Sequence, residues 1–413
     1  MTITEGPPAA ALAPQPLGVF DGPAGLVLVE RGDGTDELLG ALAAGRIPTS
    51  WPAGAAALAA ALAEDTDRAV GLLGDGPVDA VNRLVLVPTE EHLVAAEAAA
   101  SGDLSLGVVV AAAAYAGGLR DDPPEAEGVE REFAVLALTV RAARALEFKD
   151  PTGAIKLLRA AVPHAEVAGP VLHARVLGML ADQESRRQVR VGAEAAIELY
   201  AEAIGLLEGT DHDELRASFH LERAVVLHQL TDGQRHHLVE AIRGYQSALL
   251  VIDEVGDPDR YALANMNIGI AILALPMTQA SDQVKLGVAV QSLRAALRVY
   301  RPETHPFEWS SCQMNLANAL QYLPSTHREE NLQEAVELYE EVLGVRSSLS
   351  DPIGYARVVA NQANALAHLG VFEHAEAKYV EARRLFDAGG DAEGVEVVDR
   401  QLAEIALCTE DRS

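Results

Sequence analysis

Three asparagines, Asn267, Asn315 and Asn361, occupy matching places in successive stretches of the chain, 48 and then 46 residues apart. A primary amide donates through its NH2 and accepts through its carbonyl. A row of amides at repeat spacing therefore matches the alternating N–H and C=O groups of an extended peptide. Asn318 and Asn364 follow two of them by three residues, which on a helix puts them on the same face. The same amides could instead bond to a neighbouring helix and fix the geometry of a repeat.

Other residues with chemical potential form no constellation. His236 and Glu240 stand at i and i+4, and His220 and His228 flank Glu222, but two ligands do not make a metal site. No Gly-x-Ser-x-Gly elbow occurs. Gly32-Asp-Gly34 and Gly74-Asp-Gly76 are turns without the downstream lysine or helix context of a phosphate loop. Cys312 has no base beside it and reads as a small core residue. The pairs Glu329-Glu330 and Glu340-Glu341 read as solvated charge. The expectation is a protein without catalytic residues, metal or cofactor.

Charge narrows the partners. Acidic residues number 61 against 32 basic ones, a net −29. No run of lysine or arginine supplies the basic face that nucleic-acid binding needs, so no nucleic-acid partner is expected, and an anionic membrane surface would repel the chain. A basic patch on another protein would be attracted. The two cysteines, Cys312 and Cys408, lie far apart, which fits a reducing, cytoplasmic compartment. Met1 to Phe20 shows no basic region ahead of an apolar stretch, so no signal peptide is expected there. The apolar run Leu104 to Leu119, interrupted by glycine and serine, reads as a buried helix.

The elements that must position the asparagines are legible. A phrase recurs as Pro258-Asp-Arg-Tyr261-Ala262, Pro306-Phe-Glu-Trp309-Ser310 and Pro352-Ile-Gly-Tyr355-Ala356. A period of this length means a stack of one supersecondary unit. Each phrase opens a helix that carries an asparagine and stops near Pro276, Pro324 or Gly370. In the following helix, small residues recur at Ala154, Ala196, Ala241, Ala289, Ala335 and Ala375. Four residues on come Leu158, Tyr200, Tyr245, Leu293, Tyr339 and Tyr379, and three further on Ala161, Ala203, Ala248, Ala296, Val342 and Ala382. The i, i+4, i+7 spacing makes one packing face. Tyr261, Trp309 and Tyr355 begin the first helices and read as packing between repeats in preference to a rim over a ligand.

Four regions are expected: a disordered tail over 1–20, an irregular and mostly helical region over 21–125, helical repeats over 126–390, and a capping helix with a tail over 391–413. Leu26-Val-Leu-Val-Glu30 reads as a short strand or an extended lead-in. Arg120-Asp-Asp-Pro-Pro-Glu125 breaks the chain sharply. The last helix carries Val395, Val398, Leu402, Ile405 and Ala406 on one side. It reads as a cap, or as a contact for self-association.

These ladders resemble the tetratricopeptide repeat family. Its pattern appears as Ala363, Gly370, Ala375, Tyr379 and Ala382, with a step of 12 residues from Ala363 to Ala375. Loops at Pro324–Glu330 and Pro276–Asp282 are longer than usual, which is similar to actinobacterial and cyanobacterial members, some of them attached to caspase-like proteases. The resemblance implies an all-α, right-handed solenoid of antiparallel helix pairs. It implies a concave face lined by first helices, on which Asn267, Asn315, Asn318, Asn361 and Asn364 would meet a partner polypeptide. The expected function is a protein-binding scaffold. The alternative is an accessory factor for assembling a bacterial metalloenzyme, because the chain also looks like tetratricopeptide proteins associated with actinobacterial nickel–iron hydrogenases. Oligomeric state is not legible.

Overall fold

A computed structural model describes residues 14–32, 34–187, 189–230, 234–276, 280–346 and 351–410 of the chain. Residues 1–13 of the expected N-terminal tail lie outside them, as do 277–279 of the loop expected at Pro276–Asp282 and 411–413 of the expected C-terminal tail. Among the described residues there are helices and no strand. The chain forms two compact units, Met1–Val226 and Leu227–Ser413.

The first unit begins with α1 (Thr35–Ala43), α2 (Ala56–Leu62), α3 (Thr66–Gly71), α4 (Pro77–Leu86), α5 (Glu90–Ala99) and α6 (Leu104–Ala116). Longer helices follow: α7 (Arg131–Glu147), α8 (Pro151–Ala168), α9 (Pro170–Ser185), α10 (Arg190–Leu206) and α11 (Asp213–Gln229), whose Val226 closes the unit. The second unit contains α12 (Arg235–Ala248), α13 (Pro258–Leu273), α14 (Ala280–Val299), α15 (Pro306–Tyr322), α16 (Arg328–Val345), α17 (Pro352–His368), α18 (Phe372–Gly389) and α19 (Ala392–Glu410).

Local chemistry starts these helices cleanly. Asp150, Asp257 and Asp351 each precede a proline, and their carboxylates accept the N–H of Gly153, Arg260 and Gly354 at 2.8, 3.2 and 2.9 Å. The aspartate satisfies an orphan N–H, and the proline sits where no N–H is needed. Two of the three recurring phrases are therefore helix starts with an aspartate cap. His305 ahead of Pro306 gives no side-chain cap.

Packing follows chain order. The closest pairs are α7 with α8, α9 with α10, α13 with α14, α15 with α16, and α17 with α18. Within the second unit, α13 also touches α15, and α15 touches α17, so first helices are neighbours. Every member of the three ladders is at most 3% exposed. Alanine lets the backbones approach closely, and the leucine or tyrosine fills the space between layers.

The N-terminal region departs from expectation in two ways. Residues 14–20 do not form a loose tail. Leu17 and Val19 are buried, and the Gln15 amide clasps Val29 from both sides, donating to its carbonyl at 2.8 Å and accepting its N–H at 2.9 Å. Asn82 does the same for Leu28, at 2.9 and 2.8 Å. The buried segment Val27–Val29 is thus extended without a strand partner, and side-chain amides satisfy the backbone groups that a sheet would otherwise pair. The break at residues 120–125 also fails to separate cores. Phe133, Ala134 and Ala137 of α7 join the same apolar cluster as Leu38, Leu84 and Val109. The loop itself is pinned to α7 by Asp122 with Arg144 (2.9 Å) and Glu125 with Arg141.

The C-terminal helix α19 lays Val398 and Ile405 into the core of α17 and α18, with Val395 and Leu402 packed at its edge. That side is covered within the chain.

Gly269 on α13 shows how tight the pairing is. A Cβ there would lie 2.5 Å from the Leu293 side chain of α14. Alanine is the better helix former, so a loss of stability would isolate the clash. Gly269→Ala is expected to lower the unfolding free energy by about 1–3 kcal/mol, read as a lower urea midpoint at unchanged slope.

Candidate binding site: an amide cluster on the first helices of the second unit

Tyr339 of α16 is fully buried, and a buried hydroxyl without partners costs about 1–3 kcal/mol. The neighbouring helix α15 supplies both partners. Tyr339 donates to Asn318 Oδ1 at 2.6 Å and accepts from Gln321 Nε2. Burial pushes the phenol far above its ordinary pKa, so it stays a neutral donor. Helix α17 extends the network. Asn361 donates to Asn318 Oδ1 at 3.2 Å, and Asn364 donates to Gln321 Oε1 and to the Tyr322 hydroxyl, each at 3.2 Å. Three of the five asparagines therefore join α15, α16 and α17 into one hydrogen-bonded unit.

The other two are placed differently. Asn315 donates to the Ser311 carbonyl on its own helix at 2.8 Å, which leaves its oxygen uncommitted. Asn267 is half-buried and makes no hydrogen bond to a described residue. Beside it, Asn265 is buried and donates to the Tyr261 carbonyl at 3.0 Å.

Asn315 and Asn318 line a cavity of about 480 Å³ together with Leu273, Gln283, Leu286 and Tyr322. Helices α13, α14 and α15 each contribute to it. Its described lining residues supply amides, a phenol and two leucines, and none of them is charged. Such a surface can hydrogen-bond a main chain and receive an aliphatic side chain.

Sequence reasoning missed the glutamines. Gln321 lies one helical turn beyond Asn318, a spacing that was available as a signal. Gln401 accepts from Tyr379 at 3.3 Å, and His228 Nδ1 lies 3.4 Å from the Tyr245 hydroxyl. At each of these repeat tyrosines, the phenol finds a polar group on a packed helix. Tyr261 carries a different load, since its hydroxyl accepts from Arg298 at 2.8 Å and Arg298 also pairs with Glu254. Trp309 is 9% exposed, and Tyr355 packs against the core of α17 and α18.

Among the described residues, no three His, Cys, Asp or Glu side chains are placed to hold a metal ion. His212, His220 and His228 are held below the usual imidazole pKa by burial. The Cys312 thiol, buried and facing Glu308, is pushed up to about 12, which makes it a poor nucleophile near neutrality. No described helix is long and apolar enough to cross a membrane.

No family model matches the chain, and no curated protein does. Among solved structures, BtubC (BKLC) from P. vanneervenii is 18% identical, covering 62% of this chain and 92% of that one at a TM-score of 0.41. A signal-transduction ATPase with numerous domains from Pyrococcus horikoshii, which has a tetratricopeptide repeat sensor, is 16% identical. That match covers 81% of this chain and 53% of the other at a TM-score of 0.43, so this chain spans about half of that protein. The apo quorum sensor NprR from B. thuringiensis is 13% identical, covering 80% and 87% at a TM-score of 0.40.

The two groups of asparagines should separate by stability. Tyr339→Phe leaves Asn318 and Gln321 without their shared partner and should cost about 1–3 kcal/mol in urea unfolding, whereas Asn267→Ala should stay within about 0.5 kcal/mol of the parent. The thiols should separate by reactivity. At pH 8, dithionitrobenzoate should modify exposed Cys408 in the native protein and reach Cys312 only after denaturation. The raised pKa of Cys312 stabilises the fold fully below the unfolded thiol pKa of about 8.5, and that contribution falls as pH rises towards 12. Equal labelling of both native thiols would contradict the burial.

Proposed function

We propose that this protein is a non-enzymatic scaffold that holds an extended segment of another protein against the uncharged cleft of its second unit. The observation that carries this reading is the cavity of about 480 Å³ in which Asn315, Asn318, Gln283 and Tyr322 surround Leu273 and Leu286. Extended main chain is the ligand with alternating donors and acceptors that such amides suit. The leucines would take one aliphatic side chain of the segment. The net charge of −29 would draw in a partner with a basic surface and speed encounter without touching the uncharged cleft.

A tetratricopeptide-like role of this kind agrees with the helix pairs and with the buried ladders. None of the described residues lining the cleft is an activated nucleophile, which suits binding in place of turnover. Two cysteines, one buried and one exposed, suit a reducing cytoplasmic setting.

The test begins with partners captured by the full chain from its native host. Overlapping peptides tiled over each captured protein are then titrated by fluorescence anisotropy. One short segment with an aliphatic anchor should bind, and Asn315→Ala with Gln283→Ala should weaken it about 3- to 10-fold per lost hydrogen bond. The melting temperature of that variant should stay unchanged. Binding indifferent to both substitutions would remove the cleft from the function.

A further inference from the structure

The first unit holds a feature opposite in sign to the rest of the chain. Thr152, Ile155, Lys156 and Arg159 stand at i, i+3, i+4 and i+7 on one face of α8. With Arg187, from the turn between α9 and α10, they line a cavity of about 310 Å³. Three of its five lining residues are cations and none is acidic, in a chain whose acidic residues outnumber its basic ones 61 to 32.

A buried carboxylate organises them. The Glu184 side chain, in the last turn of α9, is 2% exposed. Its Oε1 accepts from Arg159 Nη2 at 2.6 Å and its Oε2 from Arg187 Nη1 at 2.8 Å. A carboxylate buried this deeply requires such pairing. Each guanidinium thereby commits one N–H to Glu184 and keeps others on its fork. The α10 backbone closes the arrangement from behind, since a Cβ on Gly192 would lie 2.5 Å from the Glu184 carbonyl oxygen and 3.4 Å from Arg187 Cβ. The nearby acids are engaged elsewhere. Asp150 caps α8 through Gly153 N–H, and Asp182 pairs with Arg186.

The charges leave a definite remainder. Lys156, Arg159 and Arg187 against Glu184 give a surplus of two positive charges. We propose that this cavity binds a dianionic phosphoryl group. Arginine forks held in fixed directions match the oxygens of such a group, Lys156 adds a point charge, and the Thr152 hydroxyl adds a donor. A phosphate monoester carries about −1.5 to −2 at pH 7, which meets the surplus. The group could be borne on a small molecule or on a protein side chain, and the chemistry of the site is the same for both. This proposal is independent of the amide cleft, which lies in the other unit.

Lys156 is exposed and pairs with no carboxylate among the described residues, so Lys156→Glu removes the surplus without disturbing Glu184. The full chain is titrated by calorimetry with inorganic phosphate, with a phosphoserine peptide, and with the same peptide unphosphorylated. Saturable one-to-one binding is expected for at least one phosphoryl ligand, at least tenfold tighter than for the plain peptide. Lys156→Glu should weaken it at least tenfold at an unchanged melting temperature. Inorganic phosphate as tight as the phosphopeptide indicates a small-molecule source, and a phosphopeptide tenfold tighter indicates a protein-borne one. No saturable binding of either ligand, or equal binding by Lys156→Glu, overturns the proposal.

Discussion

Helix pairs in this chain approach as closely as alanine permits, and that spacing governs what the other residues must do. The ladder alanines on α8, α10, α12, α14, α16 and α18 have no accessible surface. Close backbones leave room for one large side chain per pair, and in four of the pairs it is a tyrosine. A tyrosine at that depth brings a hydroxyl into a dry layer, where it requires partners. The Asn318 and Gln321 pair answers this need at Tyr339, and Gln401 answers it at Tyr379. The row of amides is therefore in part a consequence of the alanines.

This explains why the asparagines do not share one role. Those nearest Tyr339 are drawn into its network and carry it on to α17. Asn315, one turn earlier on α15, bonds only to its own helix and to the Ser311 hydroxyl. A cleft wall remains where the structural demand stops. The first unit solves a related problem by the same chemistry, because Gln15 and Asn82 satisfy the buried main chain of Leu28 and Val29.

The sequence made some of this plain. The ladders of α8 to α18 are local patterns, and local patterns with a helical period can be read directly. The recurring phrases at Pro258, Pro306 and Pro352 marked the starts of α13, α15 and α17. The hidden features depend on residues far apart in the chain. Gln15 meets Glu132 across 117 positions, and no periodicity links them. The run at residues 120–125 looked like a boundary because proline and charge interrupt helices, yet interruption of a helix does not divide a core. The cations of α8 drew no notice, since two lie on one helix and the third beyond the next, and Glu184 gathers them only in the fold.

Asn318 carries a further consequence for anything lying in the cleft. Its oxygen already accepts from Tyr339 and Asn361, so towards the cavity it offers hydrogens alone. Asn315, one turn away, still has its oxygen to offer. On the proposed reading, a strand crossing both would present a carbonyl to Asn318 and could bring an N–H to the Asn315 oxygen. The tyrosine packed behind the wall thereby makes one amide of the cleft a donor only and leaves its neighbour an acceptor.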